Sequence, residues 1–110
     1  MAVSLNMEET LAVMTIDGRL DATTSADLDS LLADALKKDP SALVLDMERL
    51  GFLSSAGLRV ILSAAKKLKG IGSPLWIATA NEAVLQTFEI SGFSSILNIV
   101  PTAEEARSKL

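Results

Sequence analysis

Three rhythms of apolar and polar residues divide this chain. From Val3 to Met7 apolar and polar positions alternate, and after Glu8-Glu9-Thr10 a second apolar run extends from Leu11 to Ile16. Two such runs about a short polar turn predict a hairpin. Asp17-Gly18-Arg19-Leu20-Asp21 interrupts the run, with Gly18 free to take a positive φ, and reads as a strand end and a loop. From Thr24 the spacing becomes helical, because Leu28, Leu31, Leu32 and Ala35 share one face. Thr24 and Asp27 have the separation of a capping box, Asp27 and Asp29 lie near the positive end of this helix, and Lys37 and Lys38 lie near its negative end. Pro40 ends it.

Ala42-Leu43-Val44-Leu45-Asp46 is a continuous apolar run between turn signals, the pattern of a strand covered on both faces, and predicts a central parallel strand. A connection, Met47 to Phe52, leads to Ser54-Ser55 and to a helix from about Ala56. Leu58, Ile61, Leu62, Ala65 and Leu68 form its core stripe, while Arg59, Ser63, Lys66 and Lys67 fall largely off that stripe. Gly70, Gly72, Ser73 and Pro74 make a loop before a strand, Leu75-Trp76-Ile77-Ala78. Asn81 can cap a third helix with Val84, Leu85 and Phe88 inward and Gly92 at its end. Ile96 to Val100 predicts a last short strand, and Thr102 with Glu105 a C-terminal helix. The expected order is β, β, α, β, α, β, α, β, α: one α/β domain over residues 1–110, an N-terminal strand pair followed by alternating helices and strands, with a mixed sheet and helices packed on it.

Composition narrows the chemistry. The 110 residues contain no cysteine, no histidine and no tyrosine. Thiol redox chemistry and thiolate metal sites are therefore excluded, and the commonest general base and neutral metal ligand are missing. The net charge of -4 carries no basic stripe with interleaved aromatics, so nucleic acid is not an expected partner. The N-terminus lacks the pattern of a signal peptide, and no apolar run approaches the ~20 residues that span a bilayer. No membrane insertion and a cytoplasmic location are the expectations.

What remains is the stretch Gly51-Phe52-Leu53-Ser54-Ser55-Ala56-Gly57-Leu58-Arg59, two serines between a strand and a helix. Either Ser54 or Ser55 can cap the helix, with Gly57 letting the backbone turn. Nucleophilic catalysis by this chain fits poorly: Leu53 stands where a hydrolase elbow needs glycine, and Lys66 and Lys67 lie too far along the helix to serve as base. A phosphate-binding loop fails as well, since Gly51 and Gly57 have the wrong spacing and Leu58-Arg59 replaces the lysine and hydroxyl residue. A third role is that of a substrate. Phosphate on Ser55 would bring about -1.5 to -2 charges to the positive end of the helix and change the surface met by a partner.

Phe52-Leu53-Ser54-Ser55-Ala56-Gly57-Leu58-Arg59, preceded by Leu43-Val44-Leu45-Asp46 and Gly18-Arg19-Leu20-Asp21, resembles the STAS-domain family, specifically the bacterial anti-sigma factor antagonists. In that resemblance Ser55 matches the phosphoacceptor, with Ser54 the alternative, Ala56 the small residue and Gly57 the glycine. Ser54 stands where many members carry aspartate. The resemblance implies a partner switch that is not itself an enzyme. The unphosphorylated protein binds an anti-sigma factor that is a serine kinase of the histidine-kinase-like ATPase fold and frees a sigma factor. Phosphorylation of Ser55 releases it, and a PP2C-type phosphatase resets it. It implies no cofactor of this chain's own, ATP and Mg²⁺ belonging to the kinase. The expected docking patch joins Gly18, Arg19, Asp21 and Thr23 to Ser54, Ala56, Gly57, Arg59, Val60 and Ser63. Asp21 is equally well read as a loop cap, and Asp46 as an acceptor of backbone hydrogen bonds or a support for the serine loop. The alternative function is a STAS scaffold or regulatory subunit of a larger transport or signalling complex, with Ser55 serving no switch.

Overall fold

The computed structural model describes residues 1–94 and 97–110. Strands β1 (Ala2–Glu8) and β2 (Leu11–Leu20) form the expected hairpin, paired antiparallel from Ala2 opposite Asp17 to Glu8 opposite Leu11. Glu9 takes φ 59° in the turn between them. Helix α1 (Ser25–Leu36) leads to β3 (Ala42–Asp46), which pairs parallel to β2. Next come β4 (Leu50–Leu53), α2 (Ser55–Gly70), β5 (Leu75–Ala78), α3 (Glu82–Ser91), β6 (Asn98–Val100) and α4 (Ala103–Ser108). The main sheet runs β1-β2-β3-β5-β6, and every pair after the hairpin is parallel.

The sheet carries two unequal layers. On one face Met14 and Ile16 of β2, Leu43 and Leu45 of β3 and Ile77 of β5 pack under α1, α2 and α3. On the other, Val13, Val44, Ala78 and Val100 meet Ala103 and Ala106 of α4. Because β3 is covered on both sides, its first four residues are all buried, which explains its unbroken apolar run. Helix α4 is short but tied. Thr102 Oγ1 accepts from Glu105 N at 3.1 Å, Glu48 Oε2 accepts from Ala103 N at 3.1 Å, and Arg107 grips Glu8 with two bonds of 3.0 and 2.9 Å.

The structure corrects several local expectations. Asp17-Gly18-Arg19-Leu20 is the end of strand β2, because β4, which begins inside the expected connection and runs to Leu53, pairs parallel to it off the main path of the sheet. Gly18 does take a positive φ, 94°, but it serves a register shift between Gly18 and Arg19 within that pairing. No capping box forms at Thr24, whose side chain makes no bond to the helix. Leu31 is exposed on α1, and on α2 Gly57 and Ala64 are buried while Leu62 and Ala65 are only half-buried. On α3, Leu85 is likewise half-buried beside buried Val84 and Phe88. Helices α1 and α2 pack on each other as well as on the sheet, and α3 packs on β4, so burial along each stripe depends on more than helical spacing. The last strand begins at Asn98 and Ile96 lies outside the described residues; Asn81 and Gly92 bound α3 as expected, with Gly92 at φ 80°.

Candidate functional site

The serine pair sits where β4 hands the chain to α2. Strand β4 is short, and three contacts hold its end. Leu53 lies opposite Leu20 of β2, Ser54 N donates to Leu20 O at 2.9 Å, and Thr87 Oγ1 of α3 donates to Leu53 O at 3.3 Å. Ser54 therefore arrives at the helix in extended conformation, φ -88° and ψ 169°, the backbone a capping residue needs. Its Oγ accepts from Gly57 N at 3.2 Å and its carbonyl from Leu58 N at 2.9 Å.

This settles which serine caps. Ser54 is the cap, and Ser55 is the first residue of α2. The Ser55 side chain is exposed, and its hydroxyl makes no hydrogen bond to any described residue. The aspartate that the family resemblance expects at position 54 would satisfy the same backbone groups, since serine and aspartate cap about equally well. The departure at Ser54 leaves the helix start intact.

Gly57 does more than ease a turn. A Cβ built on it would lie 2.6 Å from Leu20 Cγ and 3.1 Å from Leu53 Cδ1, so only glycine lets the first turn of α2 press against the ends of β2 and β4. That close approach fixes Ser55 relative to the strand ends.

Beside the serines lies the end of β2. Arg19 is paired across the ladder with Phe52, and its guanidinium lies 4.3 Å from the centre of the Phe52 ring. Arg19 Nε also approaches Asp21 Oδ2 at 3.9 Å. Asp21 itself is a loop cap: its Oδ1 accepts from Thr23 N at 2.9 Å and Thr23 Oγ1 at 2.7 Å, and its backbone carbonyl accepts from Thr24 N and Ser25 N. Those bonds, from the Thr23 hydroxyl first, hold its carboxyl below the usual carboxylate range. Thr24 Oγ1 accepts from Asp21 N and donates to Arg19 O, which is why it has nothing to offer α1.

Of the expected patch, Gly18 and Arg19 belong to the strand pair beside the serine loop, and the bond from Ser54 N to Leu20 O brings the two segments together. Gly18, Arg19, Thr23 and Arg59 are exposed, Asp21, Ser54, Ala56, Val60 and Ser63 are half-buried, and Gly57 is buried. Phe52 was not among the expected contacts, yet it is an exposed aromatic that carries Arg19. The signal available was its position two residues before the cap. Asp46 accepts from Glu48 N at 3.2 Å and does not reach the serines through any described bond. Burial raises its carboxyl above the ordinary value, against the lowering effect of the Glu48 amide.

The surroundings of Ser55 are those of a surface, not a cleft. An apolar hollow of ≈ 670 Å³ lined by Leu62, Ala65, Lys66, Phe93 and Leu97 includes neither serine. Among the described residues no cluster of acidic side chains could hold a metal ion, and no helix is long and apolar enough to cross a membrane.

Residues 2–106 match the model of the STAS domain, and the chain belongs to the STAS-domain family. BtrV of Bordetella bronchiseptica, named as a candidate anti-sigma factor antagonist, is 32% identical over 106 residues, 96% of this chain and 91% of its own. Among solved structures, an anti-sigma factor antagonist from Mycobacterium paratuberculosis superimposes with a TM-score of 0.91 at 20% identity, over 98% of this chain and 92% of that one. The Bacillus cell fate determinant SpoIIAA in its phosphorylated form has a TM-score of 0.75 at 21% identity, over 98% of each chain. Those two structures speak for the fold.

Proposed function

We propose that this chain is an anti-sigma factor antagonist that works as a partner switch, with Ser55 as the phosphoacceptor. One observation carries the reading: Ser54 does the capping, so the neighbouring hydroxyl of Ser55 is exposed and spare at the positive end of a 16-residue helix. The names of the relatives and the membership of the family point the same way.

In the unphosphorylated state the exposed face around Arg19, Phe52, Ser55 and Arg59 docks on an anti-sigma factor that is also a serine kinase, and a sigma factor is freed. The kinase supplies ATP and Mg²⁺. The γ-phosphoryl group passes to Ser55 Oγ, ADP leaves, and the hydroxyl proton is taken up on the kinase side. The new dianion lies near the free amides of Ser55 and Ala56 at the helix start, which favour negative charge, so the fold tolerates it. The partner does not, because a surface complementary to a neutral hydroxyl now meets an added charge and bulk. A separate phosphatase of the PP2C type removes the group and restores binding.

The test is incubation of the chain with candidate anti-sigma kinases of its source cell and Mg-ATP, followed by phosphosite mapping and pull-down. The expected result is a single phosphate on Ser55, a Ser55→Ala variant that stays bound in the presence of ATP, and a Ser55→Asp variant that binds at least about tenfold more weakly. Phosphate on Ser54 would overturn Ser55 as the acceptor, and variants that bind like the parent would overturn the switch. A stoichiometric complex indifferent to ATP would mark a permanent scaffold instead.

A further inference from the structure

The two ends of the main sheet are finished differently. At one end β6 is only three residues long. At the other, β1 presents seven residues, Ala2–Glu8, whose outer side pairs with nothing among the described residues. Long open edges are normally blunted by lysine, proline or a bulge. Strand β1 has none of these: Ala-Val-Ser-Leu-Asn-Met-Glu contains no proline and no basic residue, and its register with β2 is unbroken along its whole length.

Its side chains also leave unfinished burial. Val3, Leu5 and Met7 point to the face covered by α1, α2 and α3 and pack on the core, but each stays half-exposed because the sheet stops there. Ser4 and Asn6 point to the other face and are exposed. The strand matches itself when reversed. An antiparallel pairing about a two-fold axis at Leu5 sets Val3 opposite Met7, Leu5 opposite Leu5, Ser4 opposite Asn6 and Ala2 opposite Glu8. Apolar residues then meet apolar ones on the core face, while on the other face Ser4 meets Asn6 and the small Ala2 meets Glu8. The only charged residue, Glu8, faces alanine rather than its own copy, so no like charges are opposed.

From this we propose that the β1 edge is an interaction surface for a second copy of this chain, joining two sheets antiparallel into one continuous sheet with two-fold symmetry about Leu5. The contact completes the burial of Val3, Leu5 and Met7 and pairs backbone groups that otherwise face water. It is independent of Ser55. The contact is small, one strand from each copy, so the dimer is weak and reversible.

Sedimentation of the full chain up to about 1 mM tests it, together with hydrogen exchange of the β1 amides as a function of concentration. The expected result is a monomer–dimer equilibrium, with protection in β1 rising as dimer accumulates. Ser4→Lys with Asn6→Lys changes two exposed positions, and puts lysine opposite lysine twice across the axis. It should raise the dimer dissociation constant about tenfold with the monomer melting temperature unchanged. Ser4→Lys with Asn6→Glu places opposite charges in the same register and should restore the dimer. A chain that stays monomeric at every concentration overturns the proposal, as does a dimer indifferent to the double-lysine change or one the charge-swapped pair does not restore.

Discussion

Helices α1 and α2 pack side by side on the same face of the sheet, and both begin where a β2–β4 partner strand ends, yet they start in opposite ways. At α1 every hydroxyl is engaged. Asp21 collects Thr23, Thr24 bridges Asp21 and Arg19, and Ser25 Oγ donates to Ala22 O at 3.4 Å. At α2 one serine does the structural work and the next does none. A hydroxyl at a helix start is thus no sign of chemistry by itself. What distinguishes Ser55 is that its structural role has been filled by a neighbour.

The largest expected effect tests the packing that separates the two starts. Gly57→Ala improves intrinsic helix propensity by about 1 kcal/mol, but its Cβ collides with buried Leu20, and the overpacking costs about 1–3 kcal/mol. Denaturant titration should therefore show a net loss of stability; a gain would mean the strand ends yield easily and Ser55 is not held by them. Next comes the cap. Ser54→Ala should lose about 1 kcal/mol in the same titration, while Ser54→Asp should keep the parent's stability.

A smaller effect is expected at α1, and it depends on pH. Asp21 has a lowered folded-state value, so its contribution is present above the ordinary carboxylate value and is lost as pH falls through the lowered one. Asp21→Ala should reduce the melting temperature at neutral pH, and Asp21→Asn should flatten the decline in acid. Asp46 works with the opposite sign. Burial raises its folded-state value, so its ionised form opposes folding at neutral pH and this is relieved as pH falls through the raised value toward the ordinary one. Melting curves of Asp46→Asn should show no loss at neutral pH and a smaller rise in mild acid than the parent. Smallest of all is Ser55→Ala, expected within about 0.5 kcal/mol of the parent. A larger loss would make Ser55 a second structural hydroxyl and erase the contrast between the two starts.

Much of this architecture was legible from local pattern. The period-2 run of β1, the unbroken apolar run of β3, the Asn81 and Gly92 boundaries of α3 and the Thr102 cap of α4 each depend on residues a few positions apart, and each is found as expected. So was the importance of Ser54-Ser55-Ala56-Gly57, through its likeness to the STAS family. Strand β4 was not legible, because its four residues become a strand only by pairing with Gly18-Arg19-Leu20, some thirty positions earlier in the chain. The same long-range pairing stacks Arg19 on Phe52 and makes Gly57 a packing residue against Leu20 rather than a turn former.

The sequence by itself determined that this chain lacks the thiol and imidazole parts of most catalytic sites, that it alternates helices with strands, and that two serines stand at the start of a helix. Only the tertiary structure decided between those serines. Capping depends on backbone dihedrals, and the dihedrals of Ser54 are set by a bond to Leu20 and the ladder between β2 and β4, which no local pattern contains.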